Sequence, residues 1–355
     1  MNFNKLLAKK LKLQNFQIDN SSKTFIVAEI SANHGGSIKN IFKSIDYLKK
    51  IGVNAIKIQS YEASTITLNT KDKNFYIDDN SIWKGKYLFE LYKEAQTPFS
   101  WHKKIFNYAQ KKKLICFSSP FDKSSVDLLS KLKCPIYKVA SPEIQDLDLI
   151  NYIAKKNKPI IISTGIADIR DIKDAVKECL KAKNNKIILL NCISSYPTKL
   201  NEVNVKYINV LKNFSNIVGF SDHTINPLAA IGSVCLGAKV IEKHFILDKK
   251  IRSPDSKFSM DKKEFKNYVK KIRSTEIMLG NENINKKKIL KGRLKTITRS
   301  LFYTENLAKG QTINYKSVKS FRPGIGIKPN LIKTIIGKKL KKNVKKFTPI
   351  KKKHF

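Results

Sequence analysis

The sequence predicts an α/β protein: a TIM (β/α)8 barrel followed by a small β-rich C-terminal module. Three observations carry that prediction. Eight short, apolar, β-branched runs recur in the first 245 residues, helical patterns with one polar face separate most of them, and a last helical stretch, Asp261 to Leu279, closes the series. A chain of 355 residues has room for about two domains of roughly 150 residues each.

The runs are Phe25 to Glu29, Ala55 to Gln59, Ile115 to Ser118, Ile136 to Val139, Ile160 to Ser163, Ile187 to Cys192, Val218 to Ser221 and Val240 to His244. Their near-continuous hydrophobicity suits strands buried on both faces of a parallel sheet. Between them, Ser37 is placed to cap a helix running to Lys50, and Trp101 to Lys112 has apolar residues at i, i+3 and i+4. Asp168 to Lys181 and Asn204 to Phe214 repeat that spacing. A doubly wound open sheet alternates in the same way, but eight strands and a closing helix favour the barrel. Only the second connection, Ser60 to Leu114, is long.

The texture changes after Gly280. NENINKKKILKGRLK is polar and basic, and the short strand-like pieces beyond it are punctuated by Lys309-Gly310 and Pro323-Gly324. The expected divisions are an N-terminal extension at 1–22, the barrel at 23–280, a linker at 281–292 and the β-rich module at 293–355. The terminal IKKKHF reads as a frayed end.

Composition excludes several classes. With 41% hydrophobic and 28% charged residues the chain is neither low-complexity nor wholly disordered. Lys and Arg number 70 against 28 Asp and Glu, a net charge of +42 that attracts anions. The excess is mostly lysine scattered among Asn and Ile, with no aromatic stripe and no nucleic-acid-binding motif, which argues for compositional drift over nucleic-acid binding. The five cysteines, Cys116, Cys134, Cys179, Cys192 and Cys235, are odd in number and form no CxxC pair, so reduced thiols in a cytoplasmic protein are expected. No 18 apolar residues run together and the basic N-terminus lacks an apolar core, so neither a membrane span nor an export signal is expected.

Barrel enzymes build their sites at the C-terminal ends of the strands, and here nearly every run ends in polar groups. The first reaches Glu29 and leads to Asn33 and His34; the second carries Lys57 and Gln59; the third ends in Ser118 and Ser119. Lys138, Ser141 and Glu143 follow the fourth, Thr164 the fifth, and Asn191 and Tyr196 the sixth. Ser221, Asp222 and His223 end the seventh, and Glu242, Lys243 and His244 the eighth. A lone polar residue at a strand end usually starts a loop. Lys57 and Lys138, however, sit inside apolar runs where an unpaired ammonium is costly, so a bound anion, phosphate or carboxylate, is the expected counter-charge. His223 and His244 end adjacent strands, about 4.8 Å apart in a sheet, close enough to share one metal ion, with Glu29 and Asp255 nearby. Nitrogen and carboxylate donors that leave positions open to water suit Mn2+ or another divalent ion such as Mg2+ or Co2+.

The strings FIVAEISANHGGS, AIKIQSY, FSSPFD, YKVASPEI, PIIISTG, NCISSYPT, GFSDHT and IEKHFILD resemble the sialic acid synthase family in order and spacing, over nearly the whole chain. The resemblance implies a metal-dependent barrel that condenses phosphoenolpyruvate with an N-acylated sugar aldehyde to give a nonulosonic acid and phosphate. RSLFYTENLAKGQTI and SFRPGIGI resemble that family's C-terminal antifreeze-like (SAF) domain, which implies a domain-swapped homodimer. IWKGKYLFELYKEAQTPFSWH is similar to the insertion of the pseudaminic acid synthase branch, whose sugar is a 2,4-diacetamido-2,4,6-trideoxy-altrose; N-acetylmannosamine and the legionaminic acid precursor are the alternatives. By the resemblance, His223 and His244 would be metal ligands with Glu29 near the metal. Lys57, Ser118, Lys138, Ser141, Asn191 and Ser221 would contact phosphoenolpyruvate. Gln59, Glu143, Tyr196 and Asp255 would contact the sugar, and Arg322 would come from the neighbouring subunit.

Overall fold

A computed structural model describes residues 3–79, 81–280 and 283–355. Each of the eight expected runs is a strand, and they pair in sequence order around a closed, all-parallel barrel. After a hairpin of β1 (Leu11–Leu13) and β2 (Phe16–Ile18), the barrel strands are β3 (Phe25–Glu29), β4 (Ala55–Ser60), β5 (Ile115–Pro120), β6 (Tyr137–Val139), β7 (Ile160–Ser163), β8 (Ile187–Asn191), β9 (Ile217–Asp222) and β10 (Val240–His244). β10 returns to β3 with His244 opposite Glu29, and β4 places Lys57 opposite the same Glu29. Register therefore gathers the polar ends of the first, second and eighth barrel strands at one level.

Local chemistry explains the helices between them. Asp168 and Asp171 form a reciprocal capping box at the start of helix Ile169–Lys181. Ser37 occupies the expected N-cap position before Ile38–Lys50, yet its hydroxyl makes no capping bond. The helix expected over Asn204 to Phe214 shrinks to Tyr207–Leu211, because the chain on either side is spent in turns. The closing helix runs Lys262–Leu279 and buries Phe265, Tyr268, Val269 and Ile272 against the barrel.

The chain divides between Leu279 and Gly280 into two units. The N-terminal residues belong to the first by their packing: Phe3, Leu7, Leu11, Leu13 and Ile18 are buried in the barrel's own core. Of the expected linker at 281–292, residues 281 and 282 lie outside the described residues, and two short exposed helical turns, Lys286–Ile289 and Leu294–Ile297, follow. The second unit pairs β11 (Ser300–Tyr303) with antiparallel β12 (Val318–Phe321) over a core that includes Leu301, Tyr303, Ile313, Leu340 and Ile350. Its end is not frayed. Ile350 exchanges backbone hydrogen bonds with Leu301 and Ile327, and His354 is buried with its carbonyl accepting from Lys341 N–H at 2.8 Å. Apolar residues flanking the lysines, not the lysines, decide where that segment goes.

Candidate active site

Side chains alternate along a strand, so every second residue of each barrel strand points into the lumen. That rule puts Glu29, Lys57, Gln59, Ser119, Lys138, Ser163, Ser221, Glu242 and His244 on the inner face. The bonds agree. The Lys57 ammonium forms an ion pair with Glu29 and another, at 3.1 Å, with Glu242, and donates to Ser119 Oγ at 3.3 Å. Ser221 donates to Glu242 Oε1 at 3.2 Å. Among the described residues Lys138 has no carboxylate for a partner: its ammonium donates to Ser163 Oγ at 2.7 Å and to the Val139 carbonyl at 2.9 Å. All of these groups except Gln59, which is half-buried, are closed off from solvent.

Lys57 thus has its counter-charge inside the protein, unlike the bound anion expected from sequence, and Lys138 is a buried cation free to meet one. Burial pushes Lys138 down to about 8, with Lys57 adding to the fall and Glu242 opposing it. Lys57 is held above its usual range because Glu242 and Glu29 outweigh its desolvation. The two carboxylates divide: burial, with Glu242 beside it, raises Glu29 to about 7, whereas Lys57 and Lys138 pull Glu242 down against its own desolvation. Glu143 is half-buried, with one enclosed carboxylate oxygen lacking a hydrogen-bond partner among the described residues, and desolvation raises it to about 7.

The two imidazoles emerge side by side, ring centroids 5.7 Å apart. His223 Nδ1 lies 2.8 Å from the Ile193 carbonyl, which assigns the proton to that nitrogen and leaves Nε2 a lone pair. Burial pushes His223 down to about 4, and burial followed by the neighbouring His223 pushes His244 well below its usual value, so both rings are neutral donors. His244 Nδ1 has no hydrogen-bond partner and stands 3.7 Å from Asp255 Oδ2. Two neutral imidazoles, one orphaned, fit a divalent cation. Among the described residues no three His, Cys, Asp or Glu side chains gather around one point, so the imidazoles would hold the ion with water or substrate filling the remaining positions. Tyr196 covers the pair, its ring 4.3 Å from His223 and 6.2 Å from His244.

A model described as the NeuB family matches residues 44–284, more than half of the chain. The chain belongs to the NeuB family. It is 42% identical over 337 residues to a pseudaminic acid synthase of Campylobacter jejuni, covering 94% of this chain and 97% of that protein. The N,N'-diacetyllegionaminic acid synthase of the same organism is 34% identical over 326 residues, covering 91% and 97%. The N-acetylneuraminic acid synthetase of Leptospira borgpetersenii, solved in complex with citrate, superposes with a TM-score of 0.71 at 27% identity, over 81% of this chain and 96% of that one.

In this NeuB-family barrel the expected site residues do not all converge. Ser118 faces outward: its hydroxyl lies 2.6 Å from Ser60 Oγ, which contacts His102 of helix Phe99–Lys111, and donates to the Ile58 carbonyl at 2.9 Å. The next residue, Ser119, takes the inner position against Lys57. Asn191 pairs across from Phe220, one residue out of phase with the inward Ser221, and its amide donates to the Asn204 carbonyl at 3.4 Å. Sequence order located both strand ends but missed the phase at each by one residue.

Four groups at this level received no role from sequence, although Ser119, Ser163 and Glu242 were already noted at strand ends. Glu242 and Ser119 bond Lys57, Ser163 bonds Lys138, and Ser194 has a buried hydroxyl without a partner. The alternation of β10 puts Glu242, two residues before His244, on the same face and could have given it a role. Gly165 shows how tight this corner is: a Cβ there would lie 2.5 Å from Ser194 Oγ, 2.7 Å from Cys192 Sγ and 2.9 Å from Ser141 Oγ. Ser141 Oγ itself accepts from Ile166 N–H at 2.9 Å. Asp255 accepts from the Ala32 N–H at 3.4 Å, and Arg322 is an exposed residue of the second unit.

Proposed function

We propose that this chain catalyses the pseudaminic acid synthase reaction. Phosphoenolpyruvate condenses with 2,4-diacetamido-2,4,6-trideoxy-β-L-altropyranose, as its open-chain aldehyde, to give pseudaminic acid and phosphate. The observation that carries the reaction class is one inner face on which two buried lysines meet two neutral imidazoles. The sugar follows from the greater likeness to the pseudaminic than to the legionaminic enzyme of one organism.

Lys138, with only a hydroxyl and a carbonyl for partners, takes an anionic group of phosphoenolpyruvate. Ser163 at Lys138, Ser141 and Ser194 beside Gly165, and Ser119 at Lys57 orient the remaining oxygens. His223 and His244 would hold a divalent cation, which when bound polarises the aldehyde oxygen toward attack by C3 of the enol. Water adds at C2 and phosphate leaves. Glu29, poised near neutrality, accepts the proton of that water, and Lys57 offsets the charge as it moves between the carboxylates and the substrate. The main contribution is positioning two reactants in a water-poor lumen. Gln59, Glu143, Tyr196 and Asp255 contact the sugar. The ion proposed is Mn2+, with Mg2+ or Co2+ as alternatives, and the family likeness rather than the two imidazoles supports that choice.

We further read residues 293–355 as an antifreeze-like (SAF) domain that supplies Arg322 to the other subunit of a domain-swapped homodimer. The strings around Arg322 and its exposure support this. Mixing Arg322→Ala subunits with His223→Ala subunits should restore part of the lost activity, and no restoration would remove the swap. A cytoplasmic location is part of this reading; among the described residues no helix is long and apolar enough to cross a membrane. The reading as a whole is tested by phosphate release. Release requires both the altrose-derived sugar and a divalent metal, and its absence after metal reconstitution overturns the proposal.

A further inference from the structure

The long connection between β4 and β5 carries a short hairpin. Tyr76 and Tyr87 bridge its base, Ile77 N–H donates to the Lys86 carbonyl at 2.9 Å, and Gly85 N–H donates to the Ile77 carbonyl at 2.8 Å. Trp83 stands near its tip. The indole N–H donates to the Pro254 carbonyl at 2.9 Å, which fastens the hairpin to the loop that carries Asp255. The Trp83 ring lies 5.6 Å from the Tyr196 ring and 6.3 Å from the Phe258 ring. Those two rings are 4.9 Å apart and flank the imidazoles, Tyr196 at 4.3 Å from His223 and Phe258 at 4.8 Å from His244.

The three rings make one aromatic wall that starts at the imidazoles and ends at half-buried Trp83. An open-chain sugar whose aldehyde carbon sits at the imidazoles lays its far end along the outer part of that wall. The indole N–H is already used by Pro254, so Trp83 offers apolar surface there and no donor. A methyl group is at home against it. A hydroxyl would give up water and find no partner on the Trp83 and Phe258 rings that face it.

We propose that Trp83, seated on Tyr196 and Phe258, is a specificity-determining residue that receives the C6 methyl group of the sugar and disfavours sugars hydroxylated at C6. The inference rests on the reaction proposed above and adds to it the group that selects a 6-deoxy substrate. Apolar pockets discriminate a single added hydroxyl by about 100-fold at most, so the expected preference is between about 10-fold and about 100-fold in kcat/KM.

The test compares two sugars that differ by one oxygen: 2,4-diacetamido-2,4,6-trideoxy-L-altrose and its 6-hydroxy counterpart, each with phosphoenolpyruvate and metal-loaded full-length enzyme. The wild type should prefer the 6-deoxy sugar. Trp83→Ala should cut that preference by about tenfold, Trp83→Phe should keep most of it, and Trp83→Gln should shift it toward the 6-hydroxy sugar. Melting curves of the three variants show whether the fold is retained, and the ratio of the two sugars is read within each variant, so a general loss of activity cancels. A wild type inactive on the 6-deoxy sugar would overturn the reaction and this role together. An active wild type whose preference survives in Trp83→Ala and Trp83→Gln would leave the reaction standing and overturn the role of Trp83 alone.

Discussion

Two clusters of buried charge lie on opposite faces of the same strands, and they are finished differently. On the outer face, Lys243 lies 3.8 Å from Asp222 and donates to the Thr224 carbonyl. Asp222 Oδ1 accepts from Thr224 N–H at 2.9 Å and from its hydroxyl at 2.7 Å, while Oδ2 accepts from Tyr268 OH of the closing helix at 2.8 Å. Each polar group there has a partner. On the inner face, one carboxylate oxygen of Glu242 and Nδ1 of His244 have none among the described residues. Unsatisfied buried groups cost stability, and a fold that completes one cluster and leaves the other open one residue away keeps the second for a ligand. Completeness, more than burial or charge, separates the structural cluster from the functional one.

That contrast breaks most sharply at His244. His244→Ala should reduce metal-dependent phosphate release to background while leaving the fold intact, because Nδ1 has no hydrogen bond to lose and only the ring's packing against Phe258 and Tyr196 goes. Parallel assays of phosphate and of melting temperature check it, and wild-type turnover would remove the ligand role. Asp222→Ala should do the reverse in kind. It strands Lys243 in a fully buried position, so unfolding in urea should become easier by about 3–5 kcal/mol. A loss within about 1 kcal/mol would mean the outer cluster is not the structural one.

The barrel was legible because its signal is local: continuous apolar runs mark strands buried on both faces, and their count fixes the closure. The level of the site was legible too, since chemistry collects at strand ends. Phase was not. Ser118 and Ser119 are the same residue type in succession, and nothing local says which one the pleat turns inward; only pairing with β4 sets it. Lys57 was read as awaiting an anion because its partners, Glu29 and Glu242, lie on other strands, and sequence separation hides such a bond. The N-terminal hairpin escaped for a similar reason: Leu11, Leu13 and Ile18 alternate over runs too short to stand out, and only docking on the barrel buries them.

The open cluster should also show itself in pH. In the free enzyme Lys138 loses its proton near pH 8, so kcat/KM for phosphoenolpyruvate should fall as pH rises through about 8, toward tenfold per pH unit. A bound anion favours the ammonium, which moves the corresponding limb of kcat to higher pH. Folding responds with the opposite sign. Lys138 titrates below its ordinary 10.5 in the folded protein, so the unfolded chain holds that proton more tightly, and this group's contribution to stability rises between about pH 8 and 10.5. A kcat/KM profile flat from pH 7 to about 9.5 would show that Lys138 is not the cation that receives the anion.

The smallest effect tests the closed cluster by subtraction of one atom. Tyr268→Phe removes a hydroxyl that donates to Asp222 Oδ2 and leaves the ring in its place in the core. One lost hydrogen bond to a charged acceptor should cost about 1.5–3 kcal/mol of stability, less than stranding Lys243, because Asp222 keeps its two bonds from Thr224 and its neighbour Lys243. The KM for phosphoenolpyruvate and the affinity for the metal should not change, since nothing on the inner face touches that oxygen. Calorimetric titration of Mn2+ beside a urea melt separates the outcomes. Weakened metal binding at unchanged stability would mean that the outer cluster serves the site through the Asp222–His223 turn, and the division between the two faces would fall.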